Sequence, residues 1–456
     1  MKYKNCKTIL QIVLNNPIYK RFGKSFYILF FLINAVLSGQ GYMQNYAYAQ
    51  SESDIIEIPS SFNPVGSGAR ALGMGGAFIA VADDATAASW NPGGLIQLGR
   101  PEISIVGALV HRREDNDFRT NPESSGGQKV TDQNINYFSM SYPFRLINRN
   151  MIVSLNYQHL YDFSRKWKFS YIRPGESSSN YTFNYDGSLY AMGLAYCIQM
   201  TPRISLGLTL NFWEDWLGDN GWELNRHDIV TILGNNGSMN SQFEYNRYNK
   251  YSFSGFNINI GMLWNINNKL SLGAVIKTPF TADLKHESST NHNTPEISDE
   301  KLDMPMSCGI GAAYRFSDKL TASADIYRTE WQDFILENSQ GTKTSPISNL
   351  HIDESDVDPT LQIRIGAEYL IFDPVKSKYV IPLRGGIFYD PSPAEGNPDD
   401  FFGLSLGSGI VIGRYVFDIA YQYRFGKDVG RYIFPNMEFS QDIHEHTLYS
   451  SVIIHF

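Results

Sequence analysis

The stretch Tyr415-Val416-Phe417-Asp418-Ile419-Ala420-Tyr421-Gln422-Tyr423-Arg424-Phe425 alternates without a break. Tyr415, Phe417, Ile419, Tyr421, Tyr423 and Phe425 take one face, and Val416, Asp418, Ala420, Gln422 and Arg424 the other. Side chains of a β-strand switch faces at every residue, so the stretch predicts a strand with a greasy face and a wet one. In a soluble sandwich the greasy face would meet a second sheet. A wet face with full charges and amides does not suit a dry core, where unpaired polar groups are costly. Lipid on one side and a polar lumen on the other suit both faces.

The same pattern recurs. Ile204, Leu206, Leu208, Leu210 and Phe212 oppose Ser205, Gly207, Thr209 and Asn211. Leu361, Ile363, Ile365, Ala367, Tyr369 and Ile371 oppose Gln362, Arg364, Gly366 and Glu368. Ile258, Ile260, Met262 and Trp264 oppose Asn257, Asn259, Gly261 and Asn265. About fourteen such segments are expected, near 101–110, 134–144, 150–165, 187–200, 203–217, 250–266, 269–285, 302–316, 319–334, 359–372, 380–390, 401–412, 414–426 and 445–456. The even count suits a single-chain barrel. Alternate connections are short, such as Asn267-Asn268, Ser317-Asp318 and Gly413, while those between are long and polar: 111–133, 166–186, 218–249, 286–301, 335–358, 391–400 and 427–444. This is the periplasmic and extracellular asymmetry of outer-membrane barrels. The last strand, with Leu448, Val452, Ile454 and Phe456 on one face, ends on an aromatic residue. The expected fold is therefore all-β, a transmembrane antiparallel barrel over residues 99–456 that crosses the outer membrane many times.

Composition agrees. Among 456 residues, 18% are charged, and the single long apolar run is 26–37. Helical membrane proteins carry apolar runs of about 20 residues, whereas barrel strands average out because lipid-facing and lumen-facing residues alternate. Aromatics reach 14%, with Tyr and Phe 28 each, as interfacial girdles require. Lys2, Lys4, Lys7, Lys20, Arg21 and Lys24 precede the apolar run, and Ala47-Tyr48-Ala49 follows it. Residues 1–49 therefore read as a signal peptide. Its removal takes six positive charges and moves the net charge from −8 to −14. Nucleic-acid binding, which rests on Lys and Arg against phosphates, is not expected of so acidic a chain.

Residues 50–98 break the strand pattern. Gly73-Met74-Gly75-Gly76 carries no following Lys-Ser/Thr and no βαβ setting, so it does not read as a nucleotide loop. Asp83 or Asp84 is expected to cap a short helix through Trp90, stopped by Asn91-Pro92-Gly93-Gly94. The run from Gly68 through "GARALGMGGAFIAVADDATAASWNPGGL" resembles the N-terminal hatch of the FadL-like family of hydrophobic-compound transporters. Arg384-Gly385-Gly386-Ile387-Phe388-Tyr389-Asp390-Pro391-Ser392-Pro393 and Asp418-Ile419-Ala420-Tyr421-Gln422-Tyr423 resemble the same family. The family's Asn-Pro-Ala is Asn91-Pro92-Gly93 here. The resemblance implies fourteen strands, a hatch over 50–98 marked by Gly73, Gly75, Gly76, Asn91, Pro92 and Gly93, and passive uptake of hydrophobic small molecules such as long-chain fatty acids or hydrocarbons. It also implies a kinked third strand that opens a side window, though 150–165 holds no Gly or Pro and only a bulge would serve. The alternative is a barrel of a protein secretion system that binds exported proteins.

No catalytic set, cofactor or metal site is assigned. His444 and His446 share a strand face at the expected rim, and Asp353, Glu354, Asp356 and Asp358 read as a solvated loop. Cys197 and Cys308 fall on different strands and opposite faces, so no disulfide is expected. Lumen candidates are Lys277, Arg315, Asp325, Arg364, Glu368, Asp418 and Arg424, either binding a carboxylate or pairing with one another. Trp213, Trp216 and Trp222 are candidates for capturing an apolar ligand. The expected partners are a hydrophobic small molecule, outer-membrane lipid and, during biogenesis, the barrel-assembly machinery; the chain is expected to be a monomer. Cleavage is expected after Ala49 because Ala47 and Ala49 are small. Intact mass of envelope-derived protein checks this, and a retained 1–49 overturns it.

Overall fold

The computed structural model describes residues 66–173, 177–233, 239–291, 293–373, 378–434 and 437–456. The expected signal peptide and residues 50–65 of the expected hatch lie outside them. The wall opens with β1 (Glu102–Phe118), β2 (Gly126–Leu146), β3 (Arg149–Asp162), β4 (Arg165–Arg173) and β5 (Ser177–Gln199). It continues through β6 (Ile204–Trp213), β7 (Gly221–Leu233), β8 (Met239–Asn265), β9 (Leu270–Lys277) and β10 (Phe280–Thr290). Then come β11 (Glu296–Met304), β12 (Ser307–Arg315), β13 (Leu320–Thr329), β14 (Ile335–Glu337) and β15 (Lys343–Thr344). The last are β16 (Thr360–Ile371), β17 (Tyr379–Tyr389), β18 (Phe401–Ile412), β19 (Tyr415–Val429) and β20 (Phe439–His455).

Several of these are halves of one interrupted wall strand. β3 and β4 both pair with β5, and β6 and β7 both pair with β5 and β8. β9 with β10, β11 with β12, and β13 with β14 combine likewise. The result is a closed barrel of fourteen antiparallel strands, sealed where β1 meets β20 from Glu102↔His455 to Phe118↔Phe439. Closure matters because no water in hydrocarbon can satisfy an open edge.

Burial is inside out. On β19, Ile419 is 50% exposed while Asp418 is 5% exposed, the reverse of a soluble sheet. Leu206, Ile260, Ile365, Leu404 and Leu448 are exposed in the same way. Phe456 faces out, whereas His455 turns toward Glu102, 3.4 Å away. Cys197 is buried inside and Cys308 half-buried on the outer face; both are free.

The main difference from the sequence reading is strand length. Much of the expected loops 111–133, 166–186, 218–249 and 286–301 continues as strand, with β1 running to Phe118, β5 starting at Ser177 and β8 at Met239. Above the bilayer the outer face has no lipid to match, so the apolar alternation stops while the hydrogen-bonded ladder does not.

Residues 66–98 sit inside the barrel, and the inward polar side chains of the wall hold them. They form α1 (Ala69–Gly73), α2 (Ala87–Trp90) and a 3-10 turn at Pro92–Gln97. Helix α2 begins after Thr86 rather than under an Asp cap: Asp84 instead accepts, at 2.9 Å, from the amide of Thr86, the residue just before the helix. Asp325 on β13 accepts from the amides of Phe78 (2.6 Å) and Ile79 (2.8 Å). Ser405 on β18 accepts from Gly75 N at 2.7 Å and donates to Gly73 O at 3.1 Å. Thr209 and Ser205 on β6 donate to the carbonyls of Ala88 and Gly93. Asn91, fully buried, donates to Ile79 O at 2.8 Å and to Met262 O on β8 at 2.9 Å, and accepts from Gly93 N. The lumen at this level is therefore a filled polar interface.

Glycine lets the two backbones touch. Gly75 has φ +68°, and a Cβ there would press on the Ile365 carbonyl and the Ile387 amide, both at 3.2 Å. Across from it, a Cβ on Gly366 or Gly386 would overlap the Met74 and Gly75 backbone.

Two outcomes are expected. Ile365→Arg places a charge in the lipid-facing belt and should cost about 2–4 kcal/mol, against little for Ile365→Leu; equal denaturant midpoints overturn the face assignment. Asn91→Ala strips two buried carbonyls of their donor, at about 1–3 kcal/mol for each unsatisfied group. It should speed amide exchange across 66–98 while leaving the wall strands unchanged, and unaltered exchange there shows that Asn91 does not fix the segment.

Candidate ligand chamber and side window

The inner wall divides into a charged side and an aromatic side. On the charged side, β16 contributes Arg364 and Glu368, β17 contributes Arg384 with Asp390 just beyond it, and β19 contributes Asp418 and Arg424. Arg384 pairs with Glu368 and with Asp418, each at 2.6 Å. Arg364 and Arg424 both pair with Asp390 at 3.2 Å. Arg70 reaches from α1 to Glu368 (2.9 Å) and Asp83 (2.5 Å), and Arg364 donates to Gly75 O at 3.1 Å. Four of the sequence candidates thus fall in two sets of pairs, Glu368 and Asp418 around Arg384 and Arg364 and Arg424 around Asp390, and each set also grips the segment inside. Sequence reasoning missed Arg70, Arg384 and Asp390 as partners. Register was the available signal, because Arg384 lies directly opposite Glu368. A further group joins Arg112 and Arg165 to Glu114 at 2.7 and 3.1 Å, and Trp167 also donates to Glu114.

Arg315 does not join them. It ends β12 in an exposed position at the short-turn end of the barrel.

The aromatic side is built from β5 to β13 and the connection after it. Trp213, Trp222, Phe253, Leu284, Met304 and Trp331 are buried in one cluster with Phe163 and Phe334. Trp222 packs on Phe163 and stacks on Tyr251, with ring centres 5.0 and 4.9 Å apart. Trp213 donates to Asn257 at 3.0 Å. Trp216 is a correction. It is 61% exposed on the turn after β6 and lies against the outward-facing Phe212, so it belongs with the outer aromatic residues and not with the chamber. Thr278-Pro279 and Pro305-Met306 interrupt the wall on this side; proline has no N–H to give a ladder.

Lys277 closes β9 on this side, on the inward face, opposite Asn259 of β8 and Ser307 of β12. Among the described residues it has no ion-pair or hydrogen-bond partner. The outward-facing His444 and His446 are engaged by Tyr423 and Tyr421 at 2.7 Å, and Asp353, Glu354, Asp356 and Asp358 are exposed.

The third wall strand carries the bulge that the sequence left open. The β3–β5 register skips Leu160, between His159↔Tyr190 and Tyr161↔Leu189. Even positions face inward through Gln158; beyond the bulge Phe163, Arg165 and Trp167 face inward. That change of phase was the legible signal. The ladder between β2 and β3 stops at Tyr137↔Gln158, and among the described residues no ladder joins β2 to β4. The parted edges border a cavity of about 70 Å³, lined by Asp132, Asn134 and Asn136 on one side and His159, Leu160 and Asp162 on the other. Above it the edges meet again through side chains, with Gln128 donating to Lys168 O at 2.9 Å and Glu123 accepting from Ile172 N at 3.1 Å.

A barrel with an inner segment held this way has counterparts among solved structures. A Pseudomonas aeruginosa FadL homologue superposes with a TM-score of 0.57 at 13% identity, over 88% of this chain and 100% of that one. The Pseudomonas putida toluene transporter TodX gives 0.54 at 14% identity, over 87% and 99%. The Ralstonia pickettii toluene transporter TbuX gives 0.50 at 15% identity, over 87% and 100%. These identities establish the fold alone. No curated protein sequence matches the chain. The family model described as outer membrane protein transport protein (OMPP1/FadL/TodX) matches residues 62–431, and the chain belongs to that family.

Proposed function

We propose that the protein takes up hydrophobic small molecules passively across the outer membrane, and that its favoured cargo has an apolar body and a carboxylate end, as a long-chain fatty acid has. The observation that carries the second part is Lys277. It faces the lumen beside the aromatic side, while Glu368, Asp390 and Asp418 are paired with arginines on the charged side. A charge-assisted hydrogen bond from such an ammonium favours an anion over an uncharged hydrocarbon. TodX and TbuX are toluene transporters, so the lysine is what turns the reading from hydrocarbon to acid.

The route follows from the geometry. The cargo enters among Trp213, Trp222 and Trp331 at the long-loop end, an apolar cluster that is packed shut and has to part around it. Residues 66–98 obstruct the straight way down; Gly73, Gly75, Gly76 and Gly93 let that obstruction lie close, Gly75 and Gly93 against the wall backbone, and Asn91, beside Pro92, bonds it there. The parted edges at Leu160 offer a lateral way out. The sheet closes on itself where β1 meets β20, in keeping with a monomer.

Lys277→Gln tests the cargo. Hydrogen bonds to charged groups contribute enough that oleate binding should weaken about 10- to 100-fold, while dodecane binding to the same protein stays unchanged. Equal weakening of both shows that Lys277 only shapes the chamber, and undiminished oleate binding overturns the carboxylate reading.

A further inference from the structure

We infer that the outer face of the barrel above the side window binds the phosphate groups of membrane lipids, and that a headgroup seated there ties together the two wall edges that no ladder joins. Four cations gather on that face. Arg113 on β1 lies directly opposite Lys129 on β2. Lys166 and Lys168 stand on β4, across the split. All four are exposed, and their strand neighbours Arg112, Glu114, Arg165 and Trp167 are buried inward, so the cations point outward. Asp115 partly offsets Arg113 at 3.0 Å. Among the described residues, Lys129, Lys166 and Lys168 have no ion-pair partner. In a chain of net charge −8 this is a local reversal of sign.

Depth supports a lipid headgroup as the occupant. The last exposed apolar residues below the patch are Leu109 and Ile135, with Leu155 lower on β3. Arg113 follows Leu109 by four residues, about 13 Å of strand, and less in depth because barrel strands tilt. The patch therefore lies where hydrocarbon gives way to headgroups. Lys129 belongs to one edge of the split, Lys166 and Lys168 to the other, and among the described residues the bonds that bridge the two edges at that height involve side chains such as Gln128. A phosphate, with several acceptor oxygens, can engage both edges at once. The inference rests on the parted edges and the surface charge, and does not depend on which cargo the barrel carries.

The test uses the purified full chain in phosphatidylcholine nanodiscs with or without diphosphoryl lipid A. Native mass spectrometry counts retained lipid A, and amide exchange follows residues 130–136 and 165–168. Each lysine near an anionic lipid surface is expected to contribute about fivefold in retention, so K129Q/K166Q/K168Q should lose retention steeply. K129R/K166R/K168R should keep it, and so should Lys301→Gln on the far outer face. Lipid A should also slow exchange at the two edges in the wild type and not in the triple Gln variant. Heat-modifiable gel mobility confirms that each variant is folded. Retention unchanged in the folded triple Gln variant, or lost equally in Lys301→Gln, overturns the site. Edge exchange indifferent to lipid A overturns the tie between the edges.

Discussion

A barrel in hydrocarbon has to satisfy its backbone within its own wall, and the rest of this structure depends on that constraint. Outside the split between β2 and β4, the ladder from β1 around to β20 commits most of the wall's N–H and C=O groups to neighbouring strands. A segment placed inside cannot add itself to the sheet. Residues 66–98 form only short turns and helices, which pair part of their backbone and leave the rest to be met from outside. Those not met within the segment are met by side chains pointing inward from the wall. Asp325, Ser405, Thr209, Ser205, Gln422 and Tyr137 do this, each reaching a backbone atom of the segment or an adjoining turn. The polar inner face is thus required by the segment it encloses as much as by water.

The same constraint explains why the lumen has two sides. Charged residues at the level of β16 to β19 lie out of water and persist because each meets an opposite charge, as Arg384 does with Glu368 and Asp418. Opposite them, where the wall is interrupted near Pro279 and Pro305, aromatic side chains close the space. On that side Lys277 ends β9 on the inward face, away from the paired charges of β16 to β19.

Most of the fold was legible because lipid enforces alternation. The positions of β16, β18 and β19 follow directly from residues such as Ile363, Ile365, Phe417 and Ile419. Where lipid ends, that enforcement ends, and the upper halves of β1, β5 and β8 read as polar loops though they pair fully. The site was legible in part. Gly75, Asn91 and Glu368 stood out by type and position, but Arg70 with Glu368 is a contact across 298 residues of sequence, which no local pattern carries. Trp216 was misplaced because a Trp near a loop reads the same whether it turns to the lumen or to lipid. The window was hidden for a related reason: Leu160 is an ordinary residue, and its bulge shows only as a slip in phase.

The glycine contacts have a mechanical meaning. Where Met74 and Gly75 lie on Gly366 and Gly386, neither surface has a knob or a hole. The arrangement resembles a plain bearing, two smooth faces with a few latches across them. Friction from interlocked side chains is small along such a face, and the resistance to sliding resides in discrete bonds such as those of Ser405 and Asn91. A seat of this kind releases in steps, latch by latch, rather than by unpacking a core.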